Sequence, residues 1–238
     1  MQFERTIGID YSGAETADAS LKGLRVYKTE GDSPALEVAP LPGPKKYWTR
    51  RGLAAWLIEI LAEPVPTIVG IDHGFSFPEA YFKRHGLVRD WDRFLDDFHE
   101  FWPTDAAHTY VDFLRTGRNP TGLSRSGDRR WRRHAELACG AKSVFHFDVQ
   151  GQVAKSTHAG LPFLRKMRRS VPGLHVWPFD GWQIPFGRSC VVEAYPKLYS
   201  GTYPAENRTP DQLDAFAIAM WLRDAGADGR LEAALSPD

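Results

Sequence analysis

Ile7-Gly8-Ile9-Asp10 and Val69-Gly70-Ile71-Asp72 repeat one pattern: apolar, glycine, isoleucine, aspartate. Side chains alternate along a strand, so in each segment the two apolar residues take one face, and Gly and Asp the other. The runs 6–10 and 67–72 are short and apolar. Ser12-Gly13 ends the first, and Pro64 and Pro66 precede the second. They read as strands of a parallel or mixed sheet covered on both sides. Glycine beside the acid leaves room for something to approach the backbone. Aspartate at the carboxyl end of such a strand lies where open α/β sheets place their ligands.

Working outward, residues 23–27 and 35–39 read as second and third strands. Gly31, Asp32, Ser33 and Pro34 make them a hairpin, so the sheet is mixed. Thr49 is placed to cap a helix over 50–63, with Leu53, Trp56, Leu57, Ile60 and Leu61 at helical spacing. Residues 189–195 return to strand character, with Glu193 near the end and Pro196 as the stop. The last helix starts with Thr209 as N-cap, Pro210 in the first turn and Gln212 completing a capping box, and runs to about Asp224. The stretch 79–188 is rich in aromatics and charge and reads as helices with loops. The expectation is one α/β domain over 1–238. It has a mixed five-stranded sheet flanked by helices, with 79–188 inserted between the fourth and fifth strands.

Composition narrows the function classes. Thirty basic and thirty acidic side chains cancel, so attraction to nucleic acid or membrane has to come from local patches. No apolar run approaches the roughly 20 residues that span a bilayer. No signal-like segment precedes the first strand, and a cytoplasmic protein without membrane contact is expected. The two cysteines, Cys139 and Cys190, lie far apart without zinc-ligand spacing. Both are expected to be small buried residues.

The chemistry concentrates in carboxylates. Three strands end in Asp10, Asp72 and Glu193, and the last helix adds Asp211 and Asp214, three apart and on one face. Asp211 also reads as a first-turn acid that suits the helix dipole. Asp214 lies within Leu213-Asp214-Ala215-Phe216-Ala217-Ile218-Ala219-Met220-Trp221, a helix apolar almost all round, and a buried carboxylate needs a partner. Acids brought together repel unless cations neutralise them. Oxygen donors suit Mg²⁺ or Mn²⁺ rather than zinc. His73 beside Asp72 reads as a turn histidine or as an aid to proton transfer. The other seven histidines show no ligand spacing.

Charge in the middle is segregated. Residues 90–112 hold Asp90, Asp92, Asp96, Asp97, Glu100, Asp105 and Asp112 against Arg93. Residues 115–133 hold Arg115, Arg118, Arg125, Arg129, Arg130, Arg132 and Arg133 against Asp128, with Trp131 among them. Arginine favours bidentate phosphate contact and stacking. Arg125, Arg129, Arg130, Trp131, Arg132 and Arg133 are therefore candidates for gripping a nucleic-acid backbone. The alternative is that this basic arm pairs with the acidic helix before it. Arg165, Lys166, Arg168 and Arg169 form a second patch. Lys155 could contact phosphate. Trp91, Trp102 and Trp131 could stack bases, although core packing is the commoner use of tryptophan.

Four blocks also carry a resemblance: Gly8-Ile9-Asp10-Tyr11-Ser12-Gly13-Ala14, Gly70-Ile71-Asp72-His73-Gly74-Phe75-Ser76-Phe77-Pro78, Glu193-Ala194-Tyr195-Pro196-Lys197-Leu198-Tyr199 and Asp211-Gln212-Leu213-Asp214-Ala215-Phe216-Ala217-Ile218-Ala219. They resemble the motifs of an uncharacterised family of RNase H-like nucleases known only by prediction. The last block is also similar to the final helix of Holliday-junction resolvases. The resemblance implies an RNase H-like core of three antiparallel strands, a helix, a parallel strand, then further helices and a strand. It implies metal-dependent hydrolysis of nucleic acid phosphodiesters by a two-metal-type mechanism, with Asp10 as the first-strand acid, Asp72 as the acid after the first helix and Asp214 as the last-helix acid. With the strand-end Glu193, these are the expected catalytic residues, and Asp10, Asp72, Glu193, Asp211 and Asp214 the expected metal ligands. Asp72 stands where RNase H and the resolvases often carry glutamate. Two other functions are compatible with these residues: a nucleic-acid-binding module whose metal site is not catalytic, and a small phosphotransferase related to actin-like ATPases. The latter need two such domains around a nucleotide, and one core is found here.

Overall fold

The computed structural model describes residues 3–117, 120–148 and 153–236. Six strands form one mixed sheet: β1 (Arg5–Asp10), β2 (Arg25–Glu30), β3 (Leu36–Glu37), β4 (Thr67–Asp72), β5 (His175–Val176) and β6 (Cys190–Glu193). Their order across the sheet is β3-β2-β1-β4-β6-β5. β1, β2 and β3 are antiparallel neighbours, and β4, β6 and β5 run parallel to β1. The sheet therefore has six strands where five were expected. β5 lies inside the stretch read as an insertion, and a two-residue strand is too short to show a period of two.

Two helices cover the face that Ile7, Ile9, Val69 and Ile71 occupy: α1 (Arg50–Leu61) through Leu53 and Leu57, and α6 (Val153–Ser170) through Leu161 and Leu164. Thr49 caps α1 by accepting from the Gly52 amide at 2.9 Å. α6 lies within 79–188 yet packs against α1 beneath the sheet, so part of that stretch belongs to the core. Four short helices precede it: α2 (Glu79–His85), α3 (Trp91–Phe101), α4 (Val111–Thr116) and α5 (His134–Ala138). Phe77, Tyr81, Phe94, Phe98, Trp102 and Phe145 join them in an aromatic extension of the same core.

The opposite face belongs to α7 (Pro210–Ala227), which is followed by α8 (Arg230–Ala234). Thr209 and Gln212 cap α7 reciprocally, as the capping box anticipates. This helix is what approaches the glycine-bearing strands. A Cβ on Gly8 would stand 2.2 Å from the Ala215 carbonyl oxygen and 2.4 Å from the Ala219 nitrogen. One on Gly70 would meet Ile218 at 2.5 Å. The Thr6 hydroxyl donates to the Ala219 carbonyl at 2.8 Å. Glycine on the strands and alanine on the helix thus let backbone lie nearly on backbone.

Cys190 is buried in β6, as expected. Cys139, just after α5, is exposed, contrary to expectation, because the short α5 segment lies at the surface. Among the described residues no helix is long and apolar enough to cross a membrane.

Candidate functional site

Asp10 and Asp72 are direct partners in the parallel register of β1 and β4. They leave the same end of the sheet on the face covered by α7. Because α7 is seated on Gly8 and Gly70, its first turns carry Asp211 and Asp214 to that same end. The four aspartates line one pocket of about 560 Å³, together with Tyr11, Ser12, Lys155, Ser156 and Tyr195. The loop after Asp10 is held by the fully buried Arg50, whose guanidinium donates to the carbonyls of Ser12, Ala14 and Glu15 at 2.6 to 3.0 Å.

Burial and mutual repulsion disturb these acids. Asp10 is pushed up to about 9, chiefly by burial and then by Asp72, Asp211 and Asp214, with Arg25 opposing. Asp72 is raised to about 7 by burial, then by Asp214 and Glu193. Asp214 is raised by burial and by Asp211, and a hydrogen bond from Ser200 opposes this. Without a cation, protons hold part of the cluster neutral. Among the described residues no group of three or more His, Cys, Asp and Glu is arranged to hold a metal ion. The donors are all hard oxygens, the set that suits Mg²⁺ or Mn²⁺.

Glu193 does not line this pocket, although it shares a smaller cavity with Asp72. In the register it pairs with Ile71, one residue short of Asp72, so it leaves the sheet on the α6 face. There Arg133 grips both of its oxygens at 2.7 Å and the Phe75 amide donates to one at 3.0 Å. Arg133 also holds the buried Glu136 at 2.9 Å. His73 is fully buried, turned against Tyr11 and Phe75, and lowered to about 4 by burial. It is a neutral core residue and does not line the pocket.

The arginine arm divides. Arg125 makes a bidentate pair with Asp97 of α3, so here the arm does pair with the acidic helix. Arg130 pairs with Asp128, and Arg133 is committed to Glu193. Arg129 and Arg132 are exposed, and Trp131 packs half-buried against Phe145. Arg118 lies outside the described residues. Of the second patch, Arg165, Arg168 and Arg169 pair with Asp92, Asp96 and Asp180. Lys155 reaches Asp112 at 2.5 Å on the pocket wall. Another pocket, of about 440 Å³, lies at the far end of β1 around Arg5, Glu30 and Arg223. Its Arg5 is already paired with Glu63 and Glu30.

Sequence reasoning did not single out Arg50, Ser156 or the role of Tyr195. Tyr195 follows β6 and faces Asp72 closely enough for that carboxylate to raise its hydroxyl, after burial. Its only signal is its place two residues beyond the strand-end acid. Compared with protein-family models, curated proteins and solved structures, the chain shows no significant match.

Proposed function

We propose that this chain is a metal-dependent nuclease that hydrolyses phosphodiester bonds of nucleic acid. The observation that carries the reading is the meeting of Asp10, Asp72, Asp211 and Asp214 around one open pocket, whose basic lining among the described residues is Lys155. Acids crowded into one pocket, these four and Asp148 beside them, cost stability unless a cation offsets them. Asp10, Asp72, Asp211 and Asp214 would hold Mg²⁺ or Mn²⁺. When bound, such ions supply activated water and stabilise the leaving oxygen.

The chain's own groups do the rest. The exposed Arg129 and Arg132, and Lys155 on exchanging Asp112 for a phosphate, would offer the positive charge that a phosphate backbone needs. Tyr195 and Ser12 are hydrogen-bonding groups at the pocket wall. Glu193, held by Arg133, ties the arm to the end of β6. The RNase H-like reading of the fold is supported by the sequence of three antiparallel strands, α1 and the parallel β4, with the acids on β1, β4 and the last long helix.

A panel of single-stranded, double-stranded and branched oligonucleotides with Mg²⁺ or Mn²⁺ tests this. Cleavage should require the metal and fall by at least about a hundredfold, roughly 2.7 kcal/mol, in Asp10→Asn and in Asp214→Asn. Cleavage that survives both substitutions would remove the site assignment. Binding of oligonucleotide and Mn²⁺ without cleavage would leave a binding module in place of an enzyme.

A further inference from the structure

Tyr195 stands where the carboxylate pocket meets a smaller cavity of about 60 Å³, and like Asp72 it lines both. Its backbone is fixed on either side. The Ala194 amide donates to the Ile71 carbonyl at 2.9 Å, which carries the pairing of β4 and β6 one residue past the strand. The Leu198 amide then donates to the Tyr195 carbonyl at 3.1 Å.

The side chain has no such commitment. Tyr195 is half-buried. Among the described residues its ring stacks on no other ring, lies under no cation and joins no buried cluster. Tyr199, one turn further on, stacks on Trp221 with centroids 5.1 Å apart. The tryptophans that sequence offered for stacking are taken up as well: Trp91 lies on Phe179 at 4.6 Å, Trp102 is buried and Trp131 packs against Phe145. Burial raises the Tyr195 hydroxyl and Asp72 is the next cause, so the side chain extends along the wall toward the acids. A rigidly mounted ring, half open beside the acids and packed on no neighbouring ring, is a flat surface for a ligand.

The pocket gives a nucleic acid strand little else to hold. Its lining is acidic, and Lys155, the base in it among the described residues, is paired with Asp112 at 2.5 Å. Stacking needs no charge and tolerates any sequence, since every base has a flat π face. We propose that Tyr195 is a stacking platform for a nucleobase beside the phosphodiester at the aspartates, and that the site therefore takes single-stranded or unpaired nucleic acid. In a duplex each base is covered on both faces by its neighbours and has none to give without leaving the stack. An unpaired base lies against the ring without that cost. The proposal rests on the nuclease reading for the phosphodiester that brings the base to the wall.

Fluorescence anisotropy separates this from cleavage. The titrations use Ca²⁺, which takes oxygen ligands as Mg²⁺ does. The labelled strands are of one length: single-stranded DNA, single-stranded RNA, the DNA duplex and an abasic DNA strand with the same phosphates. At least one base-bearing single strand should bind more than about tenfold tighter than both the duplex and the abasic strand. Tyr195→Ala should weaken that strand about tenfold, the loss of one stack, and leave the abasic strand unchanged. Tyr195→Phe keeps the ring and should bind as the wild type does. Iodouracil placed in the same strand should crosslink to Tyr195 of the wild-type protein under ultraviolet light, a readout that stands even if the alanine variant does not fold. Equal affinity for duplex or abasic strand, equal losses in the alanine and phenylalanine variants, no loss in either, or crosslinks that miss Tyr195 would overturn the platform. Metal-dependent cleavage alongside those results leaves the nuclease reading standing without the platform. Single-strand binding through Tyr195 in a protein that cleaves nothing leaves the platform standing without the nuclease.

Discussion

Asp10 shows how far one residue can be read from its neighbours. Its place at a strand end marked it as functional, and burial, followed by its register partner Asp72, explains why it holds its proton up to about 9. A carboxyl whose pKa is higher folded than unfolded keeps its proton longer in the folded state. Its contribution to stability is complete below the ordinary value of 3.8 and is lost as pH rises toward about 9. In EDTA, Asp10→Asn should therefore match the wild type near pH 4 and melt higher at pH 8, by about 5 °C, as 1 to 2 kcal/mol would give. Thermal melts at the two pH values check this, and an equal difference at both would discount the Asp10 field. Arg133 makes the opposite case. Arg133→Ala strands the carboxylates of Glu193 and Glu136, and urea unfolding should show a loss of about 3 kcal/mol. Asp10 and Asp72 were legible as a pair because they repeat one motif. Glu193 looked equivalent, since a one-residue shift in register leaves no trace in composition but reverses the face.

At the scale of elements, α7 on β1 and β4 decides whether a site exists at all. The capping box and the alanine-rich stripe made the helix legible from Thr209 onward. Its partner was half legible: the strand glycines announced a close approach, but not that a helix bearing two of the acids was what approached. Gly8→Ala should separate the two surfaces. Its Cβ meets backbone atoms of Ala215 and Ala219 that cannot swing aside, so the cost is about 3 kcal/mol. Lifting α7 should also weaken Mn²⁺ binding severalfold, read by titration on the variant at a temperature where it stays folded. Normal stability and metal affinity in that variant would mean that the packing is looser than described. β5 and the bounds of α2, α4 and α5 stayed illegible because elements of two to seven residues hold less than two periods of their own pattern.

For the whole molecule, charge is a matter of pairing rather than of total. The acids of α3 and the arginines of the arm and of α6 look like two opposed patches in the sequence, yet folding joins them: Asp97 with Arg125, Asp96 with Arg165 and Arg169, and Asp92 with Arg168. Few cations are left for a phosphate backbone. Oligonucleotide affinity should accordingly fall gently with salt, with a slope of log K on log salt of about −2 for contacts from Arg129, Arg132 and Lys155. A slope steeper than about −5, measured by fluorescence anisotropy across salt concentrations, would show that the paired arginines open to bind. The amino-acid sequence by itself determined the α/β class, the mixed sheet, the strand-end aspartates and the capped last helix, because each rests on periodicity or capping within a dozen residues. Tertiary structure alone decided that Asp10, Asp72, Asp211 and Asp214 share one pocket while Glu193 faces away. It alone committed Arg125 and Arg133 to acids. Those outcomes depend on register, on the seating of one helix and on contacts between segments dozens to hundreds of residues apart, none of which a local pattern encodes.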